Sequence, residues 1–166
     1  MPETIEAFMT RSVHTIGTKT LLADAHRMMN DNGIRHLPVL EGGRLVGMLS
    51  QRDLHLIETL KDVDPKEVRV EEAMSQDCYT AAPETPLAEV AREMARHKYG
   101  SAVILRGAQV LGIFTTTDAL QALETVISAR KASKPTARKV AKKAVQKRSP
   151  PKARKGTKQA AKRSRR

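Results

Sequence analysis

The apolar positions of this chain follow one order twice. Val13-His14-Thr15-Ile16 alternates like a short strand. Leu22, Ala25 and Met29 then fall on one helical face, with Thr20 placed to cap its start and Gly33 to end it. Two apolar runs, His36–Leu40 and Leu45–Leu49, flank the turn signal Gly42-Gly43 and predict a hairpin. A further helix is predicted from about Gln51 to Leu60. After the stretch 61–69 the order returns. It runs through Cys78–Ala81, the face Leu87, Val90 and Met94, and the runs Ser101–Leu105 and Val110–Phe114 about Gly107-Ala108. It closes with a helix from about Thr116 to Ala129. In this second round Thr85 is the expected cap, Pro86 the first helical residue, and Lys98-Tyr99-Gly100 the helix end.

Residue identities agree with the pattern. Without a gap, positions 5–55 and 70–120 share twelve identities, among them Met9/Met74, Thr15/Thr80, Gly47/Gly112 and Asp53/Asp118. That is internal duplication. A unit of about 55 residues buries too little surface to be secure alone. Two β-α-β-β-α units should therefore pack on each other about a pseudo-two-fold axis, an α/β (α+β) arrangement with a cleft between its sheets. The expected divisions are 4–60, a linker over 61–69, 70–128, and a tail from 129 to 166.

One segment carries chemistry in both copies. Gly47-Met48-Leu49-Ser50-Gln51-Arg52-Asp53 recurs as Gly112-Ile113-Phe114-Thr115-Thr116-Thr117-Asp118. It sets a hydroxyl and a carboxylate at a helix N-terminus. Ser50 and Thr115 can serve as N-caps there, with Asp53 and Asp118 complementing the helix dipole. The same groups can bind a ligand: free N–H groups favour an anion, and a carboxylate accepts two hydrogen bonds from a diol such as ribose.

Composition changes the picture in two places. Aromatic residues are only 2 %, so aliphatic and methionine side chains must fill the core. The net charge of +12 is divided: residues 1–129 hold 13 Lys and Arg against 18 Asp and Glu, and residues 130–166 hold 17 Lys and Arg with no acid. The chain reads as an acidic folded part with a basic extension. No apolar run of 18 or more residues suggests a membrane span. The N-terminus lacks a signal-peptide pattern, and the lone Cys78 has no partner for an internal disulfide. Both suit a reducing, cytoplasmic location. Cys78 is expected as a buried strand thiol. His14, His26, His36, His55 and His97 show no metal-ligand spacing, and no nucleophile–base set, GxGxxG or P-loop occurs. No enzyme is expected.

The duplicated unit resembles a tandem pair of CBS domains, a Bateman module. Ile34-Arg35-His36-Leu37-Pro38-Val39 and Gly47-Met48-Leu49-Ser50-Gln51-Arg52-Asp53-Leu54 are typical of it, and the resemblance covers roughly residues 4–128. It implies a regulatory protein binding AMP, ADP, ATP or S-adenosylmethionine. Asp53 and Asp118 would hold ribose, and Ser50 and Thr115 would lie at ribose or phosphate. Thr15, Thr80, the residues from Ile34 through Arg35 and His36 to Pro38, and Tyr99 through Gly100 and Ser101 to Val103 would line the base. It also implies flat dimers that regulate an attached or associated enzyme or transporter; a ligand-free dimerising scaffold is the alternative. The copies differ: Arg35, His36 and Arg52 correspond to Gly100, Ser101 and Thr117, so unequal sites are expected. CBS pairs also occur within IMP dehydrogenase, but its barrel needs about 250 residues.

The extension resembles the Lys/Ala/Pro-rich tails of linker-histone-like proteins in composition. Alone it should be disordered. Ala137, Val140, Ala141, Ala144 and Val145 recur at helical spacing opposite Arg138, Lys139, Lys142, Lys143 and Lys147, with Arg148 next. These cations would bind DNA or RNA phosphates without sequence preference, a nucleoid-associated role; a solvated solubility tail is the other reading.

Overall fold

The halves exchange their opening segments. The computed structural model describes residues 3–61 and 63–133, with side chains to residue 129. The chain divides into two units, residues 1–126 and 127–166. Both copies lie in the first; the described part of the second continues the last helix.

In the first copy, β1 (Ile16–Gly17) leads to α1 (Leu22–Asn32), the hairpin β2 (His36–Glu41) and β3 (Arg44–Ser50), and α2 (Gln51–Glu58). The second opens on a short helix, α3 (Val70–Ala73), then runs β4 (Thr80–Ala81), α4 (Leu87–His97), β5 (Ser101–Arg106), β6 (Gln109–Thr115) and α5 (Thr116–Ser133). Each half forms a three-stranded sheet, β1-β2-β3 and β4-β5-β6, with the short strand parallel to the next and the hairpin antiparallel. Gly42 and Gly43 both take positive φ (55° and 80°), as a two-residue hairpin turn requires. In each hairpin one residue, Val46 or Leu111, is extra, so the register slips past it as a bulge.

The slip matters because of the glycine that follows. Gly47 and Gly112 let a foreign strand come close. Ser75 exchanges two backbone hydrogen bonds with Met48 (2.8 and 2.9 Å), and Thr10 exchanges two with Ile113 (2.8 and 3.0 Å). The segment before each copy thus docks on the opposite half. Ile5 and Met9 are buried among Val90, Met94 and Phe114, while Val70 is buried with Leu22, Met29 and Leu49. A fully buried aliphatic side chain contributes about 1.5–3 kcal/mol, so these anchors tie the halves together. A third cluster, Met48, Val103 and Ile113 with Val13 and Cys78, seals the seam.

Several local expectations shift by a residue or more. Leu21 and Pro86, not Thr20 and Thr85, occupy the cap positions, and neither makes a side-chain cap bond. Thr20 instead offers its carbonyl to Val70 N–H. The short strands begin later than the apolar alternation suggests. Val13 and Cys78 pack in the seam rather than in a ladder, so Cys78 is half-buried and precedes its strand. The helix ends hold: Gly33 and Lys98 both adopt the left-handed conformation.

Candidate functional site

The two hydroxyl–carboxylate pairs form capping boxes. Ser50 N–H (2.8 Å) and Oγ–H (2.6 Å) both donate to Asp53 Oδ2, and Asp53 N–H returns to Ser50 Oγ at 3.4 Å. Thr115 and Asp118 repeat this at 2.7, 2.6 and 3.3 Å. The cap reading is therefore correct, yet it uses only one carboxylate oxygen. What happens to the other oxygen differs. Asp118 Oδ1 accepts a hydrogen bond from Thr10 Oγ1 at 3.1 Å. Asp53 Oδ1 has no donor among the described residues.

Asp53 lines an open cleft of about 910 Å³, within the size range of small-molecule sites. One wall comes from the first half: Arg35 and His36 at the start of β2, and Ser50 to Asp53 at the mouth of α2. The other comes from the second half: Ser75, Asp77, Cys78 and Tyr79, Lys98 to Ser101, and Met94, Ala95, Thr116 and Leu120. The site is thus built across the halves. Of the sequence-expected residues it gathers Arg35, His36, Ser50, Arg52, Asp53, Tyr99, Gly100 and Ser101. Thr115 and Asp118 lie outside it, Pro38 is buried within β2 opposite Met48, and Thr80 is exposed on β4. Thr15 lines a separate hollow with Arg11 and Arg44. The tail cations Arg138, Lys139, Lys142, Lys143, Lys147 and Arg148 fall outside the described residues.

The sequence pointed to Tyr99 as a base-lining residue but missed Tyr79 and the aromatic floor that the two make together. Tyr79 and Tyr99 stack with centroids 5.5 Å apart and planes at 12°, and His97 stacks on Tyr99 at 5.4 Å. Only two tyrosines occur in the chain, and both line this cleft. Their scarcity was the available signal. Burial, aided by Glu93 and Glu89, pushes the Tyr79 phenol up, so it stays a neutral flat surface. Burial and Asp77 likewise push the Cys78 thiol up, which keeps it protonated and unreactive.

The cleft is richer in cations than in acids: Arg35, Arg52 and Lys98 face Asp53 and Asp77. His36 is held below its ordinary pKa of 6.5, first by burial, then by Arg35; Asp53 opposes this and Arg52 adds to it. A histidine depressed in the fold takes up its proton more readily when unfolded. Stability is therefore full above about pH 6.5 and falls as pH drops through that value. His36→Gln is expected to flatten the decline of Tm between about pH 6.5 and 5, the window below the unfolded pKa, in melts across that range. Among the described residues no three His, Cys, Asp or Glu side chains are placed to hold a metal.

A duplicated α+β module with an open cleft walled by both halves is what this geometry defines. The CBS domain family matches residues 5–56 and 70–125. The chain belongs to that family: it is a tandem CBS pair, a regulatory module. It is 31 % identical over 114 residues to an inosine-5′-monophosphate dehydrogenase of Korarchaeum cryptofilum, covering 68 % of this chain but 23 % of that enzyme. It is also 31 % identical over 130 residues to protein MJ1225 of Methanocaldococcus jannaschii, covering 72 % and 46 %. The chain thus spans about a quarter to a half of these relatives. Among solved structures, a Vibrio cholerae protein assigned to acetoin utilization (AcuB) superposes with a TM-score of 0.73 at 29 % identity, over 81 % of this chain and all of that one. The CBS pair of protein MJ0100, solved with 5′-methylthioadenosine and S-adenosyl-L-methionine, superposes at 0.68 with 20 % identity, over 75 % and 98 %. That last likeness is one of fold. No helix among the described residues is long and apolar enough to cross a membrane.

Proposed function

We propose that this chain is a non-catalytic sensor that binds an adenosine ligand in the Asp53 cleft. The observation that carries the reading is the unclaimed Asp53 Oδ1 inside a cleft floored by stacked tyrosines. The carboxylate suits a ribose diol, and the rings suit a flat base. The excess of cations suits phosphate, which favours AMP, ADP or ATP over the cationic S-adenosylmethionine. The MJ0100 pair, a module of the same fold, supports an adenosine ligand class. Calorimetry of the full chain against AMP, ADP, ATP and S-adenosylmethionine tests this. Binding of a phosphorylated nucleotide tighter than S-adenosylmethionine is expected. Silence with all four would favour a ligand-free scaffold.

The module would act as a homodimer. Leu56 (63 % exposed) and Leu60 lie on or just beyond α2, and Leu120 (68 %) and Leu123 on α5. Large apolar side chains so open to water mark an interaction face. Leu56→Glu with Leu123→Glu is expected to turn a dimer into a monomer by sedimentation; an already monomeric parent rules the face out. The extension would bind DNA or RNA through Arg138, Lys139, Lys142, Lys143, Lys147 and Arg148. Full-length protein should retard duplex DNA at about 50 mM salt and release it by about 200 mM, while a chain ending at residue 129 should not retard it. Equal binding by both chains excludes the extension. A regulated enzyme or transporter and a cytoplasmic, nucleoid-associated setting complete the reading.

A further inference from the structure

The two carboxylates are equivalent in sequence but not in what they hold. Thr10 and Ser75 stand 65 residues apart, at matching positions before the two copies. Each is fixed by the same pair of backbone hydrogen bonds to the opposite half, Thr10 to Ile113 and Ser75 to Met48. Their side chains part company. Ser75 Oγ donates to Asp77 O at 3.3 Å and leaves Asp53 alone. Thr10 Oγ1 donates to Asp118 Oδ1 at 3.1 Å. With Thr115 on Oδ2, both oxygens of Asp118 are engaged.

We propose that Thr10 is a built-in plug: its hydroxyl takes the place of a sugar hydroxyl on Asp118, so the chain binds one ligand, at Asp53. This rests on reading both aspartates as diol binders. A tethered hydroxyl competes at a high effective concentration, and a ligand must displace it before Asp118 can serve. β-Branching restricts the Thr10 rotamer, whereas Ser75 is free to turn toward Asp77. The sequence agrees with an unequal pair: 65 residues away in the repeat, the positions matching Tyr79 and Tyr99 are His14 and Ile34, and those matching Arg35 and Arg52 are Gly100 and Thr117.

Two measurements test the plug. The first needs no ligand: double-mutant cycles in urea for Thr10→Val with Asp118→Ala, and for Ser75→Ala with Asp53→Ala. The Thr10 cycle should show coupling of about five-fold in the unfolding constant, one net hydrogen bond, and the Ser75 cycle close to none. The second is calorimetry of the full chain with AMP. One site per wild-type chain is expected. Asp118→Asn should leave its affinity within about two-fold, the effect of a carboxylate that touches no ligand. Thr10→Val should add a second, weaker site. Equal coupling in the two cycles, two sites in the wild type, or a stoichiometry still at one in Thr10→Val would each overturn the plug. Absence of AMP binding in every variant, with the coupling intact, would instead sink the diol reading and reduce the Thr10–Asp118 bond to a structural one.

Discussion

Asp53→Asn is expected to weaken AMP binding by about 30-fold or more, since a hydrogen bond to a charged group is worth about 1.5–3 kcal/mol and a diol offers two. The substitution is nearly isosteric, and the cap should survive it. Ser50 N–H and Oγ–H both point at Oδ2, so the asparagine carbonyl must take that place to accept them. The amide nitrogen is then left where Oδ1 was, facing the cleft. An acceptor becomes a donor, and the negative charge disappears. Melting temperature should move little, because the box keeps its acceptor. Ser50→Ala is the complementary control. It removes the cap hydroxyl, costing about 1 kcal/mol of stability, but leaves the cleft-facing oxygen in place. If Asp53→Asn binds AMP within about three-fold of the parent while Ser50→Ala loses stability as expected, the ribose is not held at Asp53.

How much of this was legible in the sequence differs between residues. The hairpins were, because alternation and paired glycines act locally, and Gly42, Gly43 and Gly107 all take the positive φ a tight turn needs. The equivalence of Asp53 and Asp118 was legible as well, since the capping box spans four consecutive residues and needs no tertiary partner. Their divergence was not. It depends on Thr10, which is 108 residues from Asp118 and reaches it only because the opening segments are exchanged. The same exchange brings Tyr79 and Tyr99 of the second copy to Asp53 of the first. A gapless alignment compares residues at equal positions in the copies; it is blind to residues that meet across the seam. Thr15 and Thr80 illustrate the converse. They are identical in both copies, yet neither lines the Asp53 cleft. The cap positions at Leu21 and Pro86 were missed because backbone partners from the exchanged segments, such as Glu3 O for Leu87 N–H and Val68 O for Leu22 N–H, satisfy the helix starts that a threonine would otherwise serve.

The exchange itself yields the other large effect. Gly47→Ala is expected to cost about 2–4 kcal/mol, combining overpacking with the loss of backbone hydrogen bonds. A Cβ at Gly47 would sit 2.7 Å from Ser75 O and 2.9 Å from Met74 Sδ. The first is a backbone atom in a segment pinned by two hydrogen bonds to Met48, so it cannot step aside without breaking them. Once they break, α3 loses its hold on the first half, and Val70 with it. For a unit of this size Tm should fall by about 8–15 °C. Gly112, its partner in the repeat, makes the comparison sharp. There a Cβ would meet Met9 Sδ at 2.5 Å and Cγ at 2.8 Å, with Thr10 O further off at 3.0 Å. A methionine side chain can move, so Gly112→Ala should be milder despite the shorter distance. Gly42→Ala calibrates the remaining possibility. Its Cβ would meet nothing, and only the positive φ of 55° opposes it, a penalty of about 1 kcal/mol. The expected order of loss is Gly47, then Gly112, then Gly42. Urea melts in which Gly47→Ala is no worse than Gly42→Ala would mean that the docked strand is loosely held, and the cleft wall that descends from Ser75 to Tyr79 would lose its rigid support.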